Sequence, residues 1–218
     1  MELSEYFKTY ILRQPEKYEW LLRALAELKI QIHQIANFGC GEGEETLTLA
    51  CMLRVREATG IDKDEDEIKI RNAQSTLKHI QNIIWNKDVP NDAPDFLRQS
   101  SLEDVVKFYR ADITKKSTDL PSNYYDLAFC HFVLHHIWLD QGGEDATRTA
   151  IREMARVVKI GGVVAACELT RRTGKEIFEI NFKPLFEANG LIPIHVELKL
   201  FESDQEVTKY LYIKERAA

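Results

Sequence analysis

Short apolar runs that read as strands alternate with segments of helical periodicity along most of this chain, and that alternation constrains the fold more than anything else in it. "QIHQIANF", "VREATGI", "VVKFYRADI", "YYDLAFCHFVL" and "GVVAACEL" read as strands. Between them "EETLTLACML", "DEDEIKIRNAQSTLKHI" and "ATRTAIREMARVV" read as helices, the last expected to stop at Gly161-Gly162. A further helix is expected through "EIFEINFKPLFEAN" up to Gly190, followed by a closing pair of strands, "LIPIHVELKLF" and "EVTKYLYIKE". Ahead of the first strand, Pro15 is expected to start the helix "PEKYEWLLRALAEL". Strands alternating with helices predict an α/β fold, a mainly parallel sheet covered on both faces. The 218 residues suit one domain. Residues 82–104 carry Pro90 and Pro94 without periodicity and read as an insertion.

The bulk chemistry narrows the partners. A net charge of -6 argues against a broad basic face, so no nucleic acid is expected. The N-terminus lacks the cationic and apolar regions of a signal peptide, and no apolar run reaches membrane-spanning length. A cytoplasmic protein that binds no membrane is the expectation. Cys40, Cys51, Cys130 and Cys167 show no C-x-x-C or zinc spacing and read as reduced thiols.

The first strand runs into "GCGEGEE", with Gly39, Gly41 and Gly43 at alternate positions and Glu42, Glu44 and Glu45 in the same turn. A glycine turn opening a helix usually offers N–H groups to phosphate. The dinucleotide spacing G-x-G-x-x-G fails here, because Glu44 stands at the third glycine position. A pyrophosphate would also face three carboxylates in a partly dry cleft. S-adenosyl-L-methionine carries a sulfonium, an ammonium and no phosphate, so acidic surroundings suit it.

Five motifs in order now support a resemblance: "NFGCGEG" at 37–43, "GID" at 60–62, "RADI" at 110–113, "YDLAFCHFVLHHI" at 125–137 and "KIGGVV" at 159–164. Together they resemble the class I S-adenosylmethionine-dependent methyltransferases of small-molecule type, over roughly residues 30 to 170. The resemblance implies a doubly wound, seven-stranded, mostly parallel Rossmann-like sheet with N-terminal helices, and S-adenosyl-L-methionine as cofactor. It implies that Gly39, Gly41 and Gly43, with Cys40 between them, let backbone approach the cofactor's methionine part. Asp62, with Lys63 beside it, resembles the acid that holds the ribose hydroxyls. Asp112, with Ile113 beside it, resembles the acid that receives the adenine amino group, and Cys130 follows at the fourth strand. Asn37 stands where the family usually has an acid, and so offers the cofactor's ammonium an acceptor without charge.

Methyl transfer to a hydroxyl is helped by a base, whereas an amine needs only to be neutral. His131 is the first choice as base because it leaves the fourth strand at the site mouth; His135, His136 and Glu168 are the others. His135, Tyr6 and Tyr10 are expected on the acceptor side, with residues 1–30 and 82–104 as its cover. Adjacent His135 and His136 point different ways and no third ligand is evident, so no metal is expected. Two other readings stay open: a protein carboxyl methyltransferase, which "GCGEGEETLTLACML" also resembles, and a non-catalytic cofactor-binding or interaction protein of the same fold.

Overall fold

The segment Gln34–Phe38 (β1) is buried from Ile35 to Phe38, as a strand covered on both faces must be. It belongs to a computed structural model that describes residues 15–41, 43–63, 105–115, 118–173, 177–202 and 205–215. The chain forms two compact units, Met1–Ala111 and Asp112–Ala218.

In the first unit, helix α1 (Pro15–Glu27) precedes β1, and α2 (Glu44–Leu53) follows it. Strands β2 (Glu57–Asp62) and β3 (Val106–Arg110) are its other described strands. All three strands are parallel in the order β3-β2-β1, with Asn37 opposite Gly60 and Gly60 opposite Phe108. A Cβ on Gly60 would lie 2.5 Å from the Phe108 ring and 2.9 Å from the Cys40 sulfur, so only glycine lets ring and thiol close over this strand. Helix α1 buries Tyr18, Leu21 and Leu25 at its i, i+3 and i+7 positions, and the Tyr18 hydroxyl donates to Glu45 Oε1 at 2.7 Å.

The second unit holds β4 (Tyr125–His131), α3 (Leu134–Asp140), α4 (Gly143–Val157), β5 (Val158–Arg172) and β6 (Phe178–Glu179). Helix α5 (Lys183–Glu187), β7 (Leu191–Glu202) and β8 (Gln205–Lys214) close it. Strands β4 and β5 are parallel, while β8 runs antiparallel to both β5 and β7, in the order β4-β5-β8-β7. Parallel strands followed by an antiparallel closing pair match the α/β expectation and make the sheet mixed. Helix α4 buries Ala150, Ile151, Met154 and Val157. A polar clamp at the far end of α4 fixes the connection into β4. There Glu153 accepts from the Thr118 N–H at 2.8 Å and from the Thr118 hydroxyl, and Arg156 reaches Glu153 and the Leu120 carbonyl.

Three sequence expectations change. The α4 helix ends at Val157, before the glycine pair, and the chain enters β5 at once. Tyr125 pairs with Val158 and Leu127 with Val163, so β5 bulges between, and Gly161 at φ +80° makes that bulge possible. The helix expected through residues 176–189 is instead β6, paired with Arg171 and Arg172, and the short α5 beginning beside Pro184. The fourth strand, expected to run through "YYDLAFCHFVL" to Leu134, ends at His131, and Leu134 instead begins helix α3. The expected helix at 64–80, the 82–104 insertion, Tyr6 and Tyr10 lie outside the described residues.

Candidate functional site

In the first unit the glycine turn folds back on the end of β2. Gly39, Gly41 and Gly43 all take positive φ, at 73°, 52° and 87°. Residues other than glycine are strained there, which explains why the turn alternates glycine with other residues. The N–H groups of Gly39 and Cys40 both donate to the Ile61 carbonyl, at 2.7 and 3.0 Å. The Gly41 N–H donates to Asp62 Oδ2 at 2.8 Å, and the Gly43 N–H to the Cys40 carbonyl at 2.9 Å. Every described N–H of the turn is thus engaged within the protein, and none of them is left for a phosphate.

The side chains around the turn leave one buried acceptor unmet. Asn37 is fully buried; its Nδ2 donates to Thr46 Oγ1 at 3.0 Å, while its Oδ1 accepts no hydrogen bond among the described residues. A buried acceptor without a donor is costly, and an incoming ammonium or hydroxyl would relieve it. A Cβ on Gly41 would meet nothing within 4 Å, so open space lies beside the turn's backbone. Cys40 is no nucleophile: burial first, then the Asp62 and Glu45 carboxylates, push its thiol pKa far up. Lys63 follows Asp62 as an exposed residue.

In the second unit, Asp112 Oδ1 accepts from the Thr114 N–H at 3.0 Å and the Thr114 hydroxyl at 2.6 Å. Burial pushes the Asp112 carboxyl up, but the bonds from Thr114 and the nearby Lys115 outweigh it and keep the group below the ordinary carboxylate range. Ile113 beside it is buried. At the carboxyl end of β4, Cys130 is fully buried and its thiol points to Glu168 Oε1 at 3.5 Å. His131 stacks on Phe132 with ring centroids 4.3 Å apart. His135 sits in the first turn of α3 and faces Glu168 at 2.9 Å. His136, by contrast, points outward to Asp140 at 3.4 Å.

The structure therefore gathers Asn37, Gly39, Cys40, Gly41, Gly43 and Asp62 in one place, and Cys130, His131 and His135 in another. Sequence reasoning did not select Thr46, which holds Asn37, nor Glu168 as the hub of the second cluster. A lone carboxylate inside the apolar run "GVVAACEL" was the available signal for Glu168. Among the described residues no cluster of three or more His, Cys, Asp or Glu is placed to hold a metal ion.

A family model described as "Methyltransferase domain" matches residues 36–166. Solved structures of the same architecture include a methyltransferase from Methanosarcina mazei, described as dependent on S-adenosylmethionine. It is 14% identical, covers 86% of this chain and 94% of its own, and has a TM-score of 0.62. The N-methyltransferase NodS from Bradyrhizobium japonicum, solved with S-adenosyl-L-homocysteine, is 17% identical, with coverage of 92% and 87% and a TM-score of 0.62. The [4+2]-cyclase SpnF is 16% identical, with coverage of 91% and 82% and a TM-score of 0.64. At these identities the likeness is one of fold. No curated protein matches the sequence.

Proposed function

The chain belongs to the methyltransferase-domain family, and on that premise we propose that it moves a methyl group from S-adenosyl-L-methionine to an oxygen or nitrogen of a small-molecule acceptor. The observation that carries the cofactor half is the bonding of the glycine turn. Its N–H groups at Gly39, Cys40, Gly41 and Gly43 are taken up internally, so the turn suits a ligand without phosphate. The residues fit that ligand. Asn37 Oδ1 is a buried acceptor waiting for a donor such as an α-ammonium, and the space beside Gly41 admits an aliphatic chain against backbone. From the family resemblance, Asp62, followed by Lys63, is assigned to the ribose hydroxyls, Asp112, followed by Ile113, to the adenine amino group, and Cys130 to a further cofactor contact.

The bound cofactor supplies an activated methyl group, and the protein's own residues position, exclude water and accept a proton. His131 and His135 are the candidate groups for the proton, and both belong to the segment where β4 ends. In parallel α/β sheets ligands sit beyond the carboxyl ends of the strands, which is where these histidines lie. Tyr6 and Tyr10 belong to the segment proposed to cover the acceptor. No helix of the described residues is long and apolar enough to cross a membrane.

Radiolabelled methyl transfer, offered in parallel to a small-molecule extract and to a protein extract, tests the acceptor class. Label in the small-molecule fraction is expected. Label found only on protein, in base-labile form, would favour the carboxyl methyltransferase reading, and label in neither would favour a non-catalytic binding protein.

A further inference from the structure

Glu168 is a fully buried carboxylate that follows the buried apolar run 163–167 of β5, and a bare charge there would be prohibitive. Its two oxygens are ringed by donors from one short segment. Oε1 accepts the Val133 N–H at 3.0 Å and faces the Cys130 thiol at 3.5 Å. Oε2 accepts the His135 N–H at 3.3 Å and faces His135 Nδ1 at 2.9 Å. The segment reaches this position through a strained residue. Phe132 takes φ +56°, where a large side chain is disfavoured, and its N–H is tied to the Cys167 carbonyl at 2.9 Å. Strain held in place by a buried carboxylate at a strand end marks a position fixed for use.

We propose that His135, oriented by Glu168, is the proton acceptor in methyl transfer and that the acceptor is therefore a hydroxyl compound; this rests on the methyl-transfer reading above. A carboxylate accepts only, so the 2.9 Å contact makes Nδ1 the protonated nitrogen of neutral His135. Nε2 is then the basic nitrogen. It has no hydrogen-bond partner among the described residues and is not one of their fully buried unpaired atoms, the side chain being 8% exposed. Phe132 edges onto the ring at 5.9 Å and His136 lies against it at 4.2 Å, which leaves the imidazole little freedom to turn.

The step balances. The acceptor's O–H proton passes to His135 Nε2 as the oxygen forms a bond to the methyl carbon. The carbon–sulfur bond breaks with its electron pair remaining on sulfur, and the positive charge moves from the sulfonium to an imidazolium facing Glu168. An amine already neutral would gain nothing from such a pair, whereas a hydroxyl gains a base fixed in place before it arrives. Glu168 acts through His135 and is a positioning residue.

The test uses the full chain, titrated with S-adenosyl-L-homocysteine and assayed by radiolabelled methyl transfer to a panel of small phenols and their matching anilines. His135→Asn keeps a donor toward Glu168 but has no basic nitrogen. Transfer to phenols is expected, with kcat lowered about 100-fold or more in His135→Asn and the affinity for S-adenosyl-L-homocysteine unchanged. Nitrogen NMR of histidine-labelled protein gives a second, acceptor-free reading. His135 is expected as the Nδ1–H form in the native chain and as a mixture of forms in Glu168→Gln. Transfer to anilines alone, an undiminished kcat in His135→Asn, or a native His135 protonated at Nε2 would each overturn the proposal while leaving methyl transfer standing. A chain that binds no S-adenosyl-L-homocysteine would overturn both.

Discussion

Asp62 serves two partners in this account, and its replacement separates them. One of its oxygens accepts the Gly41 N–H at 2.8 Å, and both residues are half-buried. A hydrogen bond to a charged group nets about 1.5–3 kcal/mol. Water can reach the half-exposed Gly41 N–H once the carboxylate is gone, so the low end applies, about 1.5 kcal/mol. In a chain of 218 residues that lowers the Tm by about 3–6 °C. The cofactor loses more, because the variant leaves the ribose hydroxyls without an acceptor in a partly closed site. A loss of about 1–3 kcal/mol is expected, or roughly 5- to 150-fold in Kd. Asp62→Asn keeps an acceptor oxygen, so it should recover most of the Tm and only part of the affinity. Thermal unfolding and calorimetric titration of both variants measure the two effects. If Asp62→Ala melts with the native chain and binds S-adenosyl-L-methionine equally well, Asp62 neither ties the turn nor holds the cofactor, and the reasoning fails.

Three further outcomes are expected. Gly60→Ala drives a methyl group into the Phe108 ring and the Cys40 sulfur; the half-exposed ring can give way, so the cost should be about 1–2 kcal/mol in denaturant unfolding, and no cost would refute the close packing. Gly162→Ala should cost more, because its Cβ meets the Asp126 and Lys159 carbonyl oxygens at 3.0 Å as well as Val158 at 2.7 Å, and backbone cannot swing aside; equal or smaller losses would contradict this ranking. Burial pushes the Glu153 carboxyl up, but its bonds from Arg156 and Thr118 outweigh it and hold its pKa below the ordinary 4.5. A pKa depressed in the folded state gives stability that is fully present above about pH 4.5 and is lost as pH falls through the folded value. The stability gap between the native chain and Glu153→Gln should therefore narrow in acid, and parallel pH profiles would refute it.

How much of this was readable beforehand follows from what each signal depends on. The α2 helix at Glu44–Leu53, the parallel strands and the closing pair rest on local periodicity, and their bounds agree with the structure to within a few residues. The glycine pair misled because the same residue type ends helices and makes bulges. Only the register opposite Tyr125 and Leu127 tells which, and register is a tertiary fact. Residues 176–189 space Phe178, Phe182, Leu185 and Phe186 at i, i+4, i+7 and i+8, as a helix would bury them. Pairing with Arg171 and Arg172 overrides that spacing, and Pro184 was the local warning. At the site, the glycines and Asp62 could be singled out because their roles follow from backbone geometry at a strand end. Glu168 could not be placed, since its meaning comes from Val133 and His135, more than thirty residues earlier in the chain.

The central claim is that the glycine turn is built for a phosphate-free, positively charged cofactor, and one calorimetric comparison tests it. S-adenosyl-L-methionine and NAD are titrated separately into the native chain and into Gly41→Val, which fills the open space beside the turn at a backbone φ of +52° that disfavours a branched side chain. The account predicts saturable one-site binding of S-adenosyl-L-methionine to the native chain, none to a still-folded Gly41→Val, and no heat from NAD with either. Binding of NAD in place of S-adenosyl-L-methionine would contradict it.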